Sequence, residues 1–226
     1  MKYPKVLSED ETLDRVLSGR SIARYGDGEF KLCRGGSGIK SQVAHPKLRD
    51  RLRAILKDSG SCLVGIPNID TSTPKAEFWS KYRKVPDLNP ARTYASAFIS
   101  RPDSAPWIDR PDYWAKVQSL WEGRNVTLVR GSGKSLTPER LVGAEYVREV
   151  LAPRQHAWAE YDDLLRSVGK PEIAILCLGP TATVMAVDLC ERGVHAVDLG
   201  HIGIFWKKHL AGEPMFLSKE DKERAD

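Results

Sequence analysis

The segment from Glu172 to Leu199 constrains the fold more than any other part of the chain. Glu172–Leu178 reads Glu-Ile-Ala-Ile-Leu-Cys-Leu, a near-continuous apolar run of the kind found in a buried strand. Gly179, Pro180 and Thr181 follow at once; Thr181 to Arg192 reads as a helix, and Gly193 stops it. His195–Leu199 is a further strand, ending at Gly200 and His201. Strand, glycine-bearing turn, helix and strand make a βαβ unit with a parallel crossover. The predicted class is therefore α/β, a Rossmann-like, mostly parallel sheet flanked by helices. In such sheets ligands bind beyond the carboxyl ends of the strands. Gly179 permits close backbone approach there, and the free N–H groups of the helix start, with the Thr181 and Thr183 hydroxyls, suit an anion such as a diphosphate. The next strand delivers Asp198 and His201 towards the same edge. The plainer reading is an ordinary helix cap, and His201 taken alone reads as a core histidine.

Near the other end, Arg24-Tyr25-Gly26-Asp27-Gly28-Glu29-Phe30 follows a short apolar run, Ser21-Ile22-Ala23, that ends a strand. Asp27 and Glu29 sit two residues apart, each preceded by a glycine. Glycines allow a tight turn, and a strand or such a turn can aim both acids at one point. Two acids so placed repel unless a proton or cation lies between them. Hard divalent ions such as Mg²⁺ and Mn²⁺ prefer oxygen ligands of this type. The alternative is a polar turn whose acids cap backbone groups.

Between these stretches the chain alternates helices and strands. Ser8 and Glu11 form a capping box, followed by an apolar stripe of Leu13, Val16 and Leu17 and a stop at Gly19. Cys33 to Gly38 reads as a flexible loop. Pro46 opens a helix whose Leu48, Leu52, Ile55 and Leu56 share one face. Strands are predicted over 61–66, 92–98 and 125–130, and helices over 75–83, 113–121 and 155–168. Gly131-Ser132-Gly133-Lys134-Ser135 resembles a phosphate loop, but the full pattern needs a glycine where Leu128 stands, which argues against an ATPase. Lys134 can still approach a phosphate as a point charge.

A chain of 226 residues can bury a real core, and with 41% hydrophobic and 29% charged residues it has the composition of a soluble globular protein. The expectation is a single domain over 1–226, with frayed ends at 1–7 and 218–226. No run has the length of a membrane span, and Met1–Val6 lacks the apolar core of a signal peptide. The four cysteines are widely spaced, with no Cys-x-x-Cys pair; Cys62 and Cys177 lie in apolar runs and read as buried thiols. A cytoplasmic location is the default expectation. The net charge of +5 favours an anionic partner as much as it describes a solvated basic surface.

Taken together, Arg24–Glu29 and Leu178–Thr183 with Asp198-Leu199-Gly200-His201-Ile202 resemble the GT-D-fold glycosyltransferases, bacterial enzymes with an Asp-x-Glu motif and a Rossmann-like sheet. Ser96–Pro102 and Ala152–Trp158 also look like segments of that family, and the likeness runs from about residue 20 to 205. The resemblance implies transfer of a sugar from a nucleoside diphosphate donor, a UDP-sugar, with Mn²⁺ or Mg²⁺. It maps the metal site onto Asp27 and Glu29 and the donor pyrophosphate onto Gly26, Gly179, Pro180, Thr181, Thr183 and His201. Arg24 and Arg101 are candidate bidentate phosphate partners, and Asp198 is the candidate base if the reaction inverts.

The chain departs from the family in two places. Gly203 stands where the family tends to carry an acidic residue, and 131–136 is unlike the family's usual text. The acceptor therefore stays open between a glycan, a glycoprotein and a hydroxymethylated base in DNA. A non-catalytic nucleotide-binding module is the competing reading from another class, and an oligomer is compatible with all of them.

Overall fold

The computed structural model describes residues 3–69, 74–131 and 135–215. Ten strands are described: β1 (Lys5–Val6), β2 (Ile22–Arg24), β3 (Gly38–Ile39), β4 (Gln42–Val43), β5 (Leu63–Ile66), β6 (Thr93–Ser96), β7 (Asn125–Arg130), β8 (Tyr146–Leu151), β9 (Ile173–Cys177) and β10 (Ala196–Asp198). The helices are α1 (Glu9–Leu17), α2 (Asp27–Arg34), α3 (Pro46–Lys57), α4 (Ala76–Ser80), α5 (Pro111–Gln118), α6 (Tyr161–Ser167), α7 (Pro180–Glu191) and α8 (Ile202–Ala211). Eight strands form one sheet in the order β1-β6-β5-β2-β10-β9-β7-β8, and every neighbouring pair is parallel. β3 and β4 form a separate antiparallel hairpin. The predicted α/β class with helix-flanked parallel strands is what the chain adopts.

The βαβ unit is β9–α7–β10, with Ala196–Asp198 in register with Ala174–Leu176. α7 is buried on nearly every side, because it lies on β2 and β10 and is covered by α3 and α6. A helix apolar all round belongs inside a domain, and residues 182–187 supply that surface. α3 is amphipathic by contrast, with Leu48, Leu52, Ile55 and Leu56 buried as predicted. The capping box of α1 is formed: the Glu11 N–H donates to Ser8 Oγ at 3.2 Å, and the Ser8 N–H to Glu11 Oε2 at 2.9 Å. Cys62 and Cys177 are buried free thiols.

Several elements differ from the sequence reading. The acidic turn is the first turn of α2, and Cys33 and Arg34 end that helix instead of opening a loop. Residues 38–43 form the hairpin, closed by Lys40 and Ser41. The 155–168 segment is a 3-10 turn at Ala157–Glu160 followed by α6, and the left-handed conformation of His156 at φ 61° keeps a helix from starting at 155. β8 and α8 were not predicted. At the N-terminus Lys5–Val6 pairs with β6 instead of fraying, and residues 218–226 lie outside the described residues. No helix among the described residues is long and apolar enough to cross a membrane.

Candidate active site

β2 and β10 are neighbours, with Val197 opposite Ile22, and β10 pairs in turn with β9. The carboxyl ends of these three parallel strands therefore lie side by side. They bring together α2 after β2, α7 after β9 and α8 after β10. Three helix N-termini thus face one place, where their unpaired N–H groups and partial positive charge favour an anion. The approach is close: a methyl group on Gly28 would lie 3.9 Å from Pro180 Cγ. A cleft of about 410 Å³ opens there, lined by Arg24 to Glu29, Gly179, Pro180, Asp198, Gly200 and His201, with Arg101 at one side. The two motifs, remote in sequence, form one site.

Within it the acids differ. Glu29 is 9% exposed, and its Oε2 accepts the Gly26 N–H at 2.7 Å. Burial lifts its pKa to about 7 against the pull of backbone N–H groups, and the charges of Asp198 and Asp27 add to the rise. Asp27 is half exposed and pairs with Lys31 one turn on, at 3.0 Å. Asp198 is 4% exposed; it accepts from the Arg24 and Gly200 N–H groups at 3.2 and 3.1 Å and meets the Arg24 guanidinium at 3.5 Å. Burial raises its pKa in spite of Arg24. The capping reading of the acidic turn is realised, since Glu29 accepts the N–H of Gly26 at the start of its own helix; the other two acids lie close enough to raise its pKa.

Two expected phosphate partners are engaged elsewhere. Arg24 is 8% exposed, and its guanidinium donates to the carbonyls of Asp198 (2.5 Å) and Ala97 (2.8 Å), to Ser100 Oγ (2.7 Å) and to the Asp198 carboxylate. It lines the cleft, but its donors are spent on clamping the strand ends. Arg101 spends its fork on Asp103, with contacts of 2.8 and 2.9 Å, and Asp103 also binds Lys75. Burial weakens the hold of Arg101 on its proton, but Asp103, then Asp27 and Glu29, outweigh it and raise the pKa. Arg101 remains a cation beside the acids.

The Gly-Pro-Thr turn is divided in the same way. Gly179 faces the cleft with φ 60° and ψ −142°, a backbone conformation that only glycine adopts readily. The hydroxyl of Thr183 donates to the Arg24 carbonyl at 2.8 Å, tying α7 to β2, so it is not offered to a ligand. Thr181 Oγ1 is buried without a partner among the described residues, and Thr181 does not line the cleft. His201 is no core histidine: it is exposed at the start of α8 and lines the cleft. Lys134 lies outside the described residues.

The sequence reading missed the hairpin tip, Lys40 and Ser41, and the role of Lys31, Arg154 and Gln155 in the cleft wall. The signal for the hairpin was two residues, Lys40-Ser41, between short apolar-polar pairs, which is weak without an Asn-Gly type turn.

Among the described residues no three acidic, histidine or cysteine side chains gather to cage a metal ion. Mg²⁺-type sites need no such cage, because one or two carboxylates plus substrate phosphates suffice. Glu29, buried beside two further acids, and the half-exposed Asp27 fit that donor set.

A family model described as "Glycosyltransferase GT-D fold" matches residues 22–223. A Streptococcus gordonii protein described as "Probable glycosyl transferase Gly" is 30% identical over 221 residues, covering 87% of this chain and 32% of that protein. "Glycosyltransferase GlyD" of Streptococcus pneumoniae serotype 4 is 28% identical, covering 85% of this chain and 26% of that protein. The chain thus spans no more than about a third of the length of these curated relatives. A solved structure described as "The highly conserved domain of unknown function 1792 has a distinct glycosyltransferase fold" superposes with a TM-score of 0.82 at 29% identity, covering 96% of this chain and 85% of that one. Another, described as "A New Glycosyltransferase (DUF1792) from Streptococcus sanguinis", gives 0.78 at 27% identity, covering 93% and 86%.

Proposed function

The chain belongs to the glycosyltransferase GT-D fold family, and from that premise we propose that it moves a sugar from a nucleoside diphosphate sugar, a UDP-sugar, to a hydroxyl of a glycan or glycoprotein. The observation that carries this reading is the convergence of the α2 and α7 N-termini, one bearing acids and the other Gly179 and Pro180, on a single cleft. The bond from the sugar C1 to the diphosphate oxygen breaks, and a bond from C1 to the acceptor oxygen forms. The acceptor loses its proton, and the nucleoside diphosphate leaves with the added negative charge.

That developing charge is what the site must stabilise. Gly179 lets a phosphate oxygen approach the backbone, and the first-turn N–H groups of α7 and α8 face it as fixed donors. His201, exposed at the start of α8, is placed to donate a further hydrogen bond. Asp27 and Glu29 would hold Mn²⁺ or Mg²⁺, which supplies charge neutralisation to the diphosphate when bound. Asp198 is a positioning residue on this reading, since its carboxylate is buried and already holds Arg24 and Gly200. It is a poor base for the same reason.

Asp27→Ala and Glu29→Ala should each lower transfer from UDP-sugars by at least about 100-fold while leaving the circular dichroism spectrum unchanged. A chelator in excess should do the same to the wild type. Full activity in either variant, or in chelator, overturns the metal-bridged assignment; nucleotide binding with no transfer or donor hydrolysis across a donor panel would make the chain a binding module.

A further inference from the structure

A second groove, of about 860 Å³, is lined by chain segments that continue from the cleft wall. The segment that gives Gln155 and Ala157 to the cleft gives Trp158 and Tyr161 to the groove, and the hairpin side of the cleft, at Ser41, runs on to His45. The floor of the groove is fixed. Asp188 of α7 accepts the Tyr161 hydroxyl of α6 at 2.6 Å and pairs with Arg51 of α3, so three helices are pinned at one carboxylate. The wall is aromatic: the Trp158 and Tyr161 rings lie 4.6 Å apart at 33°, and His45 lies 6.1 Å from Trp158. Both Trp158 and Tyr161 are half-buried, so each keeps an open surface. The backbone N–H of Trp158 donates to Gln42 Oε1 at 3.3 Å, which ties the main chain at 158 to the hairpin.

The rim is acidic. Glu160 and Asp162 are exposed and have no ion-pair partner among the described residues. Asp163 pairs with Arg166, and Asp188 with Arg51. Carboxylates accept hydrogen bonds and donate none when ionised. Flat aromatic faces bury apolar surface while the polar edges stay wet. A pyranose ring matches both: its C–H face is apolar and its rim is hydroxyl donors. A phosphate backbone matches less well, since the carboxylates of Glu160 and Asp162 outnumber the one lining cation unpaired among the described residues, Lys47.

We propose that this groove binds a neutral oligosaccharide and is the acceptor site, delivering a sugar hydroxyl to the donor cleft along the 155–161 segment. The proposal rests on the glycosyltransferase reading above and commits that reading to a glycan acceptor rather than to DNA. The size of the groove falls in the range of small-ligand clefts, about 300–1,000 Å³.

The test is saturation-transfer NMR on the full chain with cellotriose and chitotriose as neutral probes, a single-stranded oligothymidylate as the anionic probe, and UDP as the cleft probe. At least one trisaccharide should bind the wild type. Trp158→Ala should weaken that binding about tenfold or more, a loss of the order of one buried aromatic contact. Glu160→Gln with Asp162→Asn, both on the exposed rim, should weaken it as well, and Trp158→Phe should largely restore it. UDP binding should be the same in all variants. Absence of trisaccharide binding while UDP still binds overturns the groove alone, as does a Trp158→Ala variant that binds undiminished. Oligothymidylate binding that Trp158→Ala abolishes also overturns it. Failure of UDP together with the sugars brings down the reading on which the groove depends.

Discussion

A methyl group added to Gly200 would lie 2.4 Å from Nη2 of Arg24, a guanidinium held by four hydrogen bonds to protein acceptors. Gly200 also sits at φ 52°, where an L side chain is strained by roughly 1–2 kcal/mol. Gly212 offers a comparison, with φ 64° and nothing within 4 Å of an added methyl. Gly212→Ala should cost about 1 kcal/mol in urea denaturation, the strain alone. Gly200→Ala should cost roughly 2–4 kcal/mol, because Arg24 must also give up buried hydrogen bonds. Equal losses in the two variants would mean that the clamp tolerates the methyl. Here the sequence was legible only in part. Arg24 beside an acidic pair looks like a ligand for phosphate, and nothing local reveals that the carbonyls of residues 97 and 198 converge on it. Asp27, Glu29, Gly179 and His201 could be named because glycine and acid spacing speaks for itself; the engagement of Thr183 and Arg101 depends on partners distant in the chain or just beyond a turn.

Between elements, the Asp103 carboxylate joins the turn after β6 to the start of α4 through Arg101 and Lys75. Burial favours its neutral form, but the hydrogen bonds and charge of Arg101, then of Lys75, prevail and hold its pKa down at about 2. A carboxyl depressed in the folded state stabilises fully above its unfolded pKa, and that stability drains away as pH falls through the folded value. The window is therefore about pH 4 down to about 2, and the loss across it is roughly 2 kcal/mol. Urea denaturation at pH 5 and pH 2 should show Asp103→Asn losing that much less than the wild type between the two conditions, although it starts from lower stability. An identical acid slope in both chains would remove Asp103 from the account. Elements were read well where one face or the whole run is apolar, as in α3, β7 and the β9–α7–β10 unit. β8 escaped because it is exposed at most positions and owes its conformation to pairing with β7. The conformation around Gly203 was also illegible: an added methyl would lie 2.0 Å from the Ser135 carbonyl oxygen, so α8 packs directly on the backbone of the post-β7 segment. The two departures from the family pattern, at 203 and at 131–136, thus meet in one contact, and a side chain at 203 has no room.

At the scale of the whole molecule, the sheet has a seam between β2 and β10, where strands from opposite ends of the chain meet. Backbone pairing there is brief, and side chains complete it: Ser21 Oγ donates to the Val194 carbonyl and accepts the Ala196 N–H, Thr183 reaches the Arg24 carbonyl, and Arg24 meets Asp198. The candidate donor cleft opens at the carboxyl end of this seam, so a ligand held by α2 on one side and by α7 and α8 on the other bridges it. Such a ligand binds the folded chain and not the unfolded one, which raises stability by about 2.7 kcal/mol at 100 times its Kd. For a chain of this length each kcal/mol moves Tm by roughly 2–4 °C, so UDP-sugar at that excess with Mn²⁺ should raise Tm by roughly 5–10 °C. Without the cation the shift should be smaller, since the Asp27 and Glu29 carboxylates then stand beside the diphosphate with no divalent charge between them. Asp27→Ala should abolish the extra increment from Mn²⁺ and keep the part that UDP-sugar gives alone, because the helix N-termini are untouched by it. A shift of the same size with and without Mn²⁺ in the wild type would place the ligand away from the acids; no shift with any donor would remove the seam cleft as the nucleotide site.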